Sequence, residues 1–183
     1  MAEPHFGGPW TEDKLSRLRK YLHAYMKIFS TNPRAKLLKA IYVDAFAGTG
    51  FRDTAAHPSE ENSLFDVTAD SDAEALRKGS TQVALETSPH FSEYLFIEHK
   101  EGHATNLLRL HQQFPDIAPR IKIIREDANN YLVKWCKETN WRKTRAVVFL
   151  DPYGMQVDWA TIEEMAETKN QSTCGYYFHL AWE

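Results

Sequence analysis

Near the start of the chain, Leu15, Leu18, Tyr21, Leu22, Tyr25, Met26 and Phe29 recur at helical spacing and mark one apolar stripe. Thr11 is a good N-cap for that helix, Glu12 and Asp13 suit its first turn, and Asn32-Pro33 ends it. Lys14, Arg17 and Lys20 lie off the stripe. The pattern then changes to short apolar runs: a strand over about Ala40 to Ala45, a second at Tyr94-Leu95-Phe96-Ile97, a third from Ile121 to Ile124, and a fourth at Ala146-Val147-Val148-Phe149-Leu150. Tyr176 to Leu180 reads as a fifth. Helical patterns separate them. One passes through Val83 and Leu85 and closes at Pro89, and a second carries His103, Leu107, Leu110 and Phe114. A third is capped by Asn129 and carries Leu132, Trp135 and Cys136, and a fourth is capped by Asp158 and runs through Ile162 and Met165. Continuously apolar strands alternating with helices predict an α/β domain with a mostly parallel sheet covered by helices on both faces.

Residues 1–10 read as a loose arm and 11–183 as the domain. Within it, residues 52–78 mix seven carboxylates with Ser, Thr and Ala, an acidic insertion that predicts a lid, a partner surface or simple disorder. The chain has 183 residues, 43% hydrophobic and 26% charged, the composition of an ordinary globular domain with a real core. Its net charge of −3 supplies no overall basic field, so nucleic acid would need a local patch. Arg17, Arg19, Lys20, Arg34, Lys36 and Lys39 are the local candidates. The two cysteines are far apart and the histidines lack ligand spacing, so no metal site is expected. Nothing resembles a signal peptide or a membrane span, and the simplest expectation is a cytoplasmic protein. Trp135, Trp141 and Trp159 read as packing residues.

The candidate chemistry sits where strands finish. Asp44, Glu98, Asp127 and Asp151 follow four successive apolar runs, and in a parallel sheet those ends converge on the edge where ligands bind. After the first strand comes Asp44-Ala45-Phe46-Ala47-Gly48-Thr49-Gly50. A dinucleotide fingerprint would need glycine at position 53, where Asp53 stands, and a phosphate-binding loop would need Gly-Lys-Ser/Thr, where Gly50 is followed by Phe51-Arg52. A nicotinamide-dependent oxidoreductase is therefore disfavoured.

The run Asp44-x-Phe46-x-Gly48-x-Gly50 instead resembles the first motif of class I S-adenosylmethionine-dependent methyltransferases. That resemblance implies glycines allowing close backbone approach to the methionine part of the cofactor, with Asp44 near its ammonium or a water. It implies Glu98 on the ribose hydroxyls and Asp127 with the Ala128 N–H on the adenine. The interval from Asp44 to Glu98 exceeds the ~20 residues usual in such units, and the 52–78 insertion accounts for the excess. Asp151-Pro152-Tyr153-Gly154 resembles the D-P-P-Y-type motif of enzymes that methylate exocyclic amino groups of bases. In that reading the Asp151 carboxylate and the Pro152 carbonyl accept the amino hydrogens, and Tyr153 stacks on the base. The bland alternative is a strand ending in a Pro-Tyr-Gly turn.

Trp10-Thr11-Glu12-Asp13-Lys14, Tyr21-Leu22, Tyr42 to Gly50, Gly79-Ser80, Phe96-Ile97-Glu98, Asp127-Ala128-Asn129 and Leu150 to Trp159 together resemble the three-Cys-motif partner protein family, bacterial and phage proteins with a methyltransferase-like, Rossmann-like fold. The resemblance spans about residues 10–168. It implies S-adenosylmethionine as cofactor, a methyltransferase role with nucleic acid as a candidate substrate, and a separate partner protein carrying the three cysteines. Class I sheets normally add a terminal hairpin beside the fifth strand; here the pattern reads as truncated after about five strands. Two function classes stay open: a methyltransferase directed at nitrogen, and a catalytically inactive interaction module acting with a partner protein.

Overall fold

The computed structural model describes residues 9–48, 79–151, 156–168 and 177–180, with the backbone alone for 9–11 and 177–180. The insertion at 52–78 lies outside these residues. Five strands form one sheet: β1 (Lys39–Asp44), β2 (Glu93–Ile97), β3 (Ile121–Ile124), β4 (Thr144–Leu150) and β5 (Tyr177–Leu180). Their order is β3-β2-β1-β4-β5 and every pairing is parallel. This is the Rossmann-like, doubly wound arrangement that the alternating sequence pattern predicts.

Side-chain alternation along the strands divides the core in two. On one face Tyr42, Tyr94, Phe96, Val147 and Phe149 pack under helix α1 (Pro9–Thr31) and helix α2, residues 79–86. Leu107 and Leu110, from α3 (Glu101–Leu107) and α4 (Leu110–Gln113), complete that side. On the other face Ile41, Val43, Leu95, Ile97, Val148 and Leu150 pack against α5 (Ala128–Glu138) and α6 (Trp159–Glu167). Both faces are covered, so β4 is buried at every position. Phe91 ties the first face together. Its ring lies 6.1 Å from Tyr25 and 5.7 Å from both Tyr42 and Tyr94, and its N–H donates to Tyr94 Oη at 3.1 Å. Burial pushes the Tyr94 phenol up to about 12. On the second face Trp141 donates to the Cys136 carbonyl at 2.7 Å and meets Trp135 edge-on at 5.1 Å.

Three boundaries differ from expectation, and a fourth, at Asp158, falls where expected. The first helix begins at Pro9, because proline suits a first turn whose N–H has no partner to lose. The third helical pattern is capped by Asp127, not Asn129: Asp127 has extended backbone and its Oδ1 accepts from Asn130 N–H at 3.0 Å. Asn129 is a helix residue that reaches across to residues 156–161. Asp158 stands at the cap position of α6 without a side-chain cap bond; its own N–H donates to Asn129 Oδ1 at 2.9 Å. The stripe from His103 to Phe114 holds two helices, because hydrogen bonds tighten to an i→i−3 pattern at Leu108 and Arg109.

At the amino edge, Glu93 is buried at the start of β2 between Lys39 of β1 and Lys122 of β3, paired with both. Burial alone would raise its pKa, but the two ammonium groups outweigh that and hold it below the ordinary 4.5. A depressed carboxylate stabilises the fold above its unfolded pKa and loses that contribution as pH falls through the folded value. In thermal melts Glu93→Gln should therefore lower the midpoint at neutral pH, and the gap from wild type should narrow as pH falls below the ordinary 4.5 and through the lower folded value. Leu22, fully buried between α1 and the sheet, sets the size of the α1 contact. Leu22→Ala should reduce the urea-derived unfolding free energy by about 2–5 kcal/mol; a loss near zero would show that α1 does not pack as described.

Candidate functional site

The crossovers after β1 and β2 run on one face and those after β3 and β4 on the other, so winding reverses between β1 and β4. In such sheets the carboxyl ends at that reversal open a crevice for ligands. Hydrogen bonds fix the four strand ends relative to one another. Ala45 N–H donates to the Phe149 carbonyl at 3.1 Å, Ala47 N–H to Ile97 at 3.0 Å, and Glu98 N–H to Ile124 at 2.9 Å. Asp44 and Asp151 flank the reversal, and Glu98 and Asp127 extend the row along β2 and β3. One edge thus receives all four acidic strand ends.

Asp44 is 1% exposed. Its Oδ2 accepts from Ser80 Oγ at 2.6 Å and its Oδ1 from Phe46 N–H at 3.3 Å. Those contacts compensate the burial of a carboxylate at a strand end. Two residues past half-buried Phe46, Gly48 adopts φ 61°, the left-handed region that favours glycine, and is itself buried. The turn the sequence predicts at this point therefore needs its first glycine. Gly50 lies outside the described residues.

Asp151, also buried, receives Lys14 from α1, with Nζ 3.1 Å from Oδ1. Lys14, which lies off the apolar stripe, is thus drawn to the carboxyl edge. Tyr42, two residues before Asp44 on the same strand, is fully buried. Burial raises this phenol's pKa well above its ordinary value, and the nearby carboxylates of Asp44 and Asp151 raise it further. Sequence reasoning missed Lys14, Ser80 and Tyr42 as site residues. A signal existed for each: Lys14 and Ser80 stand in the quoted motif blocks, and Tyr42, two before Asp44, shares its face of the strand.

Glu98 and Asp127 are partly exposed. Glu98 Oε1 accepts from Lys100 N–H at 2.7 Å, and His103 Nδ1 stands 3.7 Å from Oε2. Asp127 spends Oδ1 on the α5 cap, which brings buried Ala128 to the first position of that helix. Pro152 and Tyr153, expected as carbonyl acceptor and stacking ring, lie outside the described residues. Of the basic candidates, Arg17 pairs with Asp13 at 2.7 Å and Lys39 with Glu93, so neither is spare for a phosphate. Trp159, expected to pack, is 72% exposed. Among the described residues no helix is long and apolar enough to cross a membrane.

No protein-family model matches the chain, and no curated protein matches it. Solved structures do resemble it at low identity. One, a "conserved hypothetical protein" from Streptococcus pyogenes, is 18% identical with a TM-score of 0.42, covering 78% of this chain and 66% of that one. Another, "Putative methyltransferase yhhF from Escherichia coli", is 14% identical with a TM-score of 0.41, covering 83% of this chain and 61% of that one. The chain thus spans just under two thirds of each of these structures. Neither likeness is close enough to carry site residues across.

Proposed function

We propose that this domain is an S-adenosylmethionine-dependent methyltransferase, directed at an exocyclic amino nitrogen of a nucleic-acid base, and that it is related to the three-Cys-motif partner proteins. The observation that carries the reading is the convergence of Asp44, Glu98, Asp127 and Asp151 on one edge, beside a glycine turn with Gly48 at φ 61°. An edge rich in carboxylates suits a ligand that presents cations and hydrogen-bond donors: an ammonium, a sulfonium, ribose hydroxyls and an adenine amino group. It suits a polyphosphate poorly, because phosphate sites gather N–H groups and cations.

The residues fit such a cofactor by the chemistry of this donor set. Asp44 and the backbone around Gly48 would hold its methionine end, Glu98 the ribose hydroxyls, and Asp127 with the Ala128 N–H the adenine. When bound, the cofactor supplies an activated methyl group. Asp151 would accept an N–H of the incoming amino group, draw its lone pair out of the ring, and take up the proton released on transfer. Lys14, 3.1 Å from Oδ1, would have to share or leave that carboxylate as the acceptor arrives. Tyr42 adds an uncharged, buried floor, since its raised pKa keeps the phenol protonated.

Titration calorimetry with S-adenosylhomocysteine tests the cofactor half. Wild type should bind, and Glu98→Gln should bind about tenfold more weakly through loss of a charge-assisted acceptor. No heat at about millimolar ligand would sink the reading. Asp151→Asn should keep that affinity while methyl transfer to a single-stranded oligonucleotide falls by about 100-fold or more.

One observation favours the second reading. The Lys14–Asp151 pair occupies the carboxylate that would take the acceptor, as expected of a fold kept as an interaction module for a partner protein. That reading expects cofactor binding by wild type with no transfer to DNA, RNA or protein.

A further inference from the structure

The inference rests on the methyltransferase reading and names what meets the acceptor. Trp159 is the first residue of α6 and is 72% exposed. Because α6 is the crossover leaving β4, its first turn stands at the carboxyl edge, the edge that carries Asp151. The indole is not loose there. Its N–H donates to Glu163 Oε1 at 2.7 Å, one turn along the helix, which satisfies the ring's polar atom and leaves its apolar faces as what it offers a ligand.

The start of α6 is itself held. Asn129 Nδ2 donates to the Gln156 carbonyl at 2.8 Å, and Asn129 Oδ1 accepts from Asp158 N–H and Thr161 Oγ, each at 2.9 Å. Asn129 follows Asp127 and Ala128 directly, so the turn bearing Trp159 is fastened to the end of β3. Among the described residues the other large exposed apolar side chains are Ile28 on α1, Leu37 just before β1 and Leu108 after α3.

We propose that Trp159 is the platform on which an unstacked base of a single-stranded nucleic acid lies. Every base has a π-face, and stacking on a fixed aromatic ring is a sequence-tolerant way to hold one outside a duplex. The groove of about 480 Å³ between α5 and α6, lined by Asn129, Asn130, Lys134, Asp158 and Thr161 among others, does not include Trp159, whose ring lies with Glu163 on another side of α6. Lys134 lines that groove. Lys137, in the same groove, is paired with Glu164 at 3.3 Å. Asp158 and Glu138 keep the groove close to charge balance, so the ring face supplies more of the affinity than counter-charge does.

The test is fluorescence anisotropy of a labelled mixed-sequence single-stranded oligodeoxynucleotide, run beside calorimetry with S-adenosylhomocysteine on the same proteins. Trp159→Ala should weaken oligonucleotide binding about tenfold or more, and Trp159→Phe should stay within about threefold of wild type. Glu163→Ala, which frees the ring, should fall between them. The salt dependence should be shallow, with a log–log slope of about −1 to −2. Cofactor affinity should not move in any of the three. Unchanged oligonucleotide binding by Trp159→Ala, no oligonucleotide binding by wild type that does bind cofactor, or a matching loss of cofactor affinity would each overturn the platform. Oligonucleotide binding that depends on Trp159 in a protein with no cofactor affinity would support the platform and overturn the methyltransferase reading instead.

Discussion

Burying a carboxylate at the end of a strand that water does not reach is the constraint on which the rest of this structure depends. Asp44 closes β1, the central strand, and is 1% exposed. An unpartnered charge there would be strongly destabilising. Its compensation comes from two directions, Ser80 at the start of α2 and the N–H of Phe46 in the turn. The first contact sets where α2 meets the sheet, and the second sets the shape of the chain entering Gly48. Asp44 therefore organises the scaffold around the turn at Gly48.

The two edges of the sheet solve opposite electrostatic problems. At the amino edge Glu93 is a single carboxylate between two lysines, and three adjacent strands are tied by it. At the carboxyl edge carboxylates come one per strand, with Lys14 brought in from α1 against one of them. The first arrangement is complete in itself. The second sets Asp44, Glu98, Asp127 and Asp151 along one edge, each with its own local partners.

Much of this was legible in the sequence. Each strand announced itself as an apolar run, and Asp44, Glu98, Asp127 and Asp151 were readable as strand ends because each directly or closely follows such a run. Asp127 was read correctly as a strand-end acid but not as a cap, since Asn129 is an equally good capping type and only the backbone decides between them. Lys14 was read only as lying off the stripe, because helical periodicity reports which face packs on the core, not what a long side chain can reach beyond it. Trp159 was misread for a related reason: an aromatic residue is usually buried, and exposure follows from where a helix begins, which composition does not record.

The pairing of β1 has a consequence for how the chain comes off the ribosome. One side of β1 pairs with β2, but the other pairs with β4, in the register Lys39↔Thr144. Until Thr144 and its neighbours have emerged, the central strand of the finished sheet is an edge strand with open amides and an apolar second face. Synthesis proceeds at about 5–20 residues per second, so that edge stays open for seconds. During that interval α1 and α2 can already cover the first face, while Ile41 and Val43 still lack α5 and α6. Any chain in which β4 has not yet emerged leaves Ile41 and Val43 without the α5 and α6 cover they have in the finished domain.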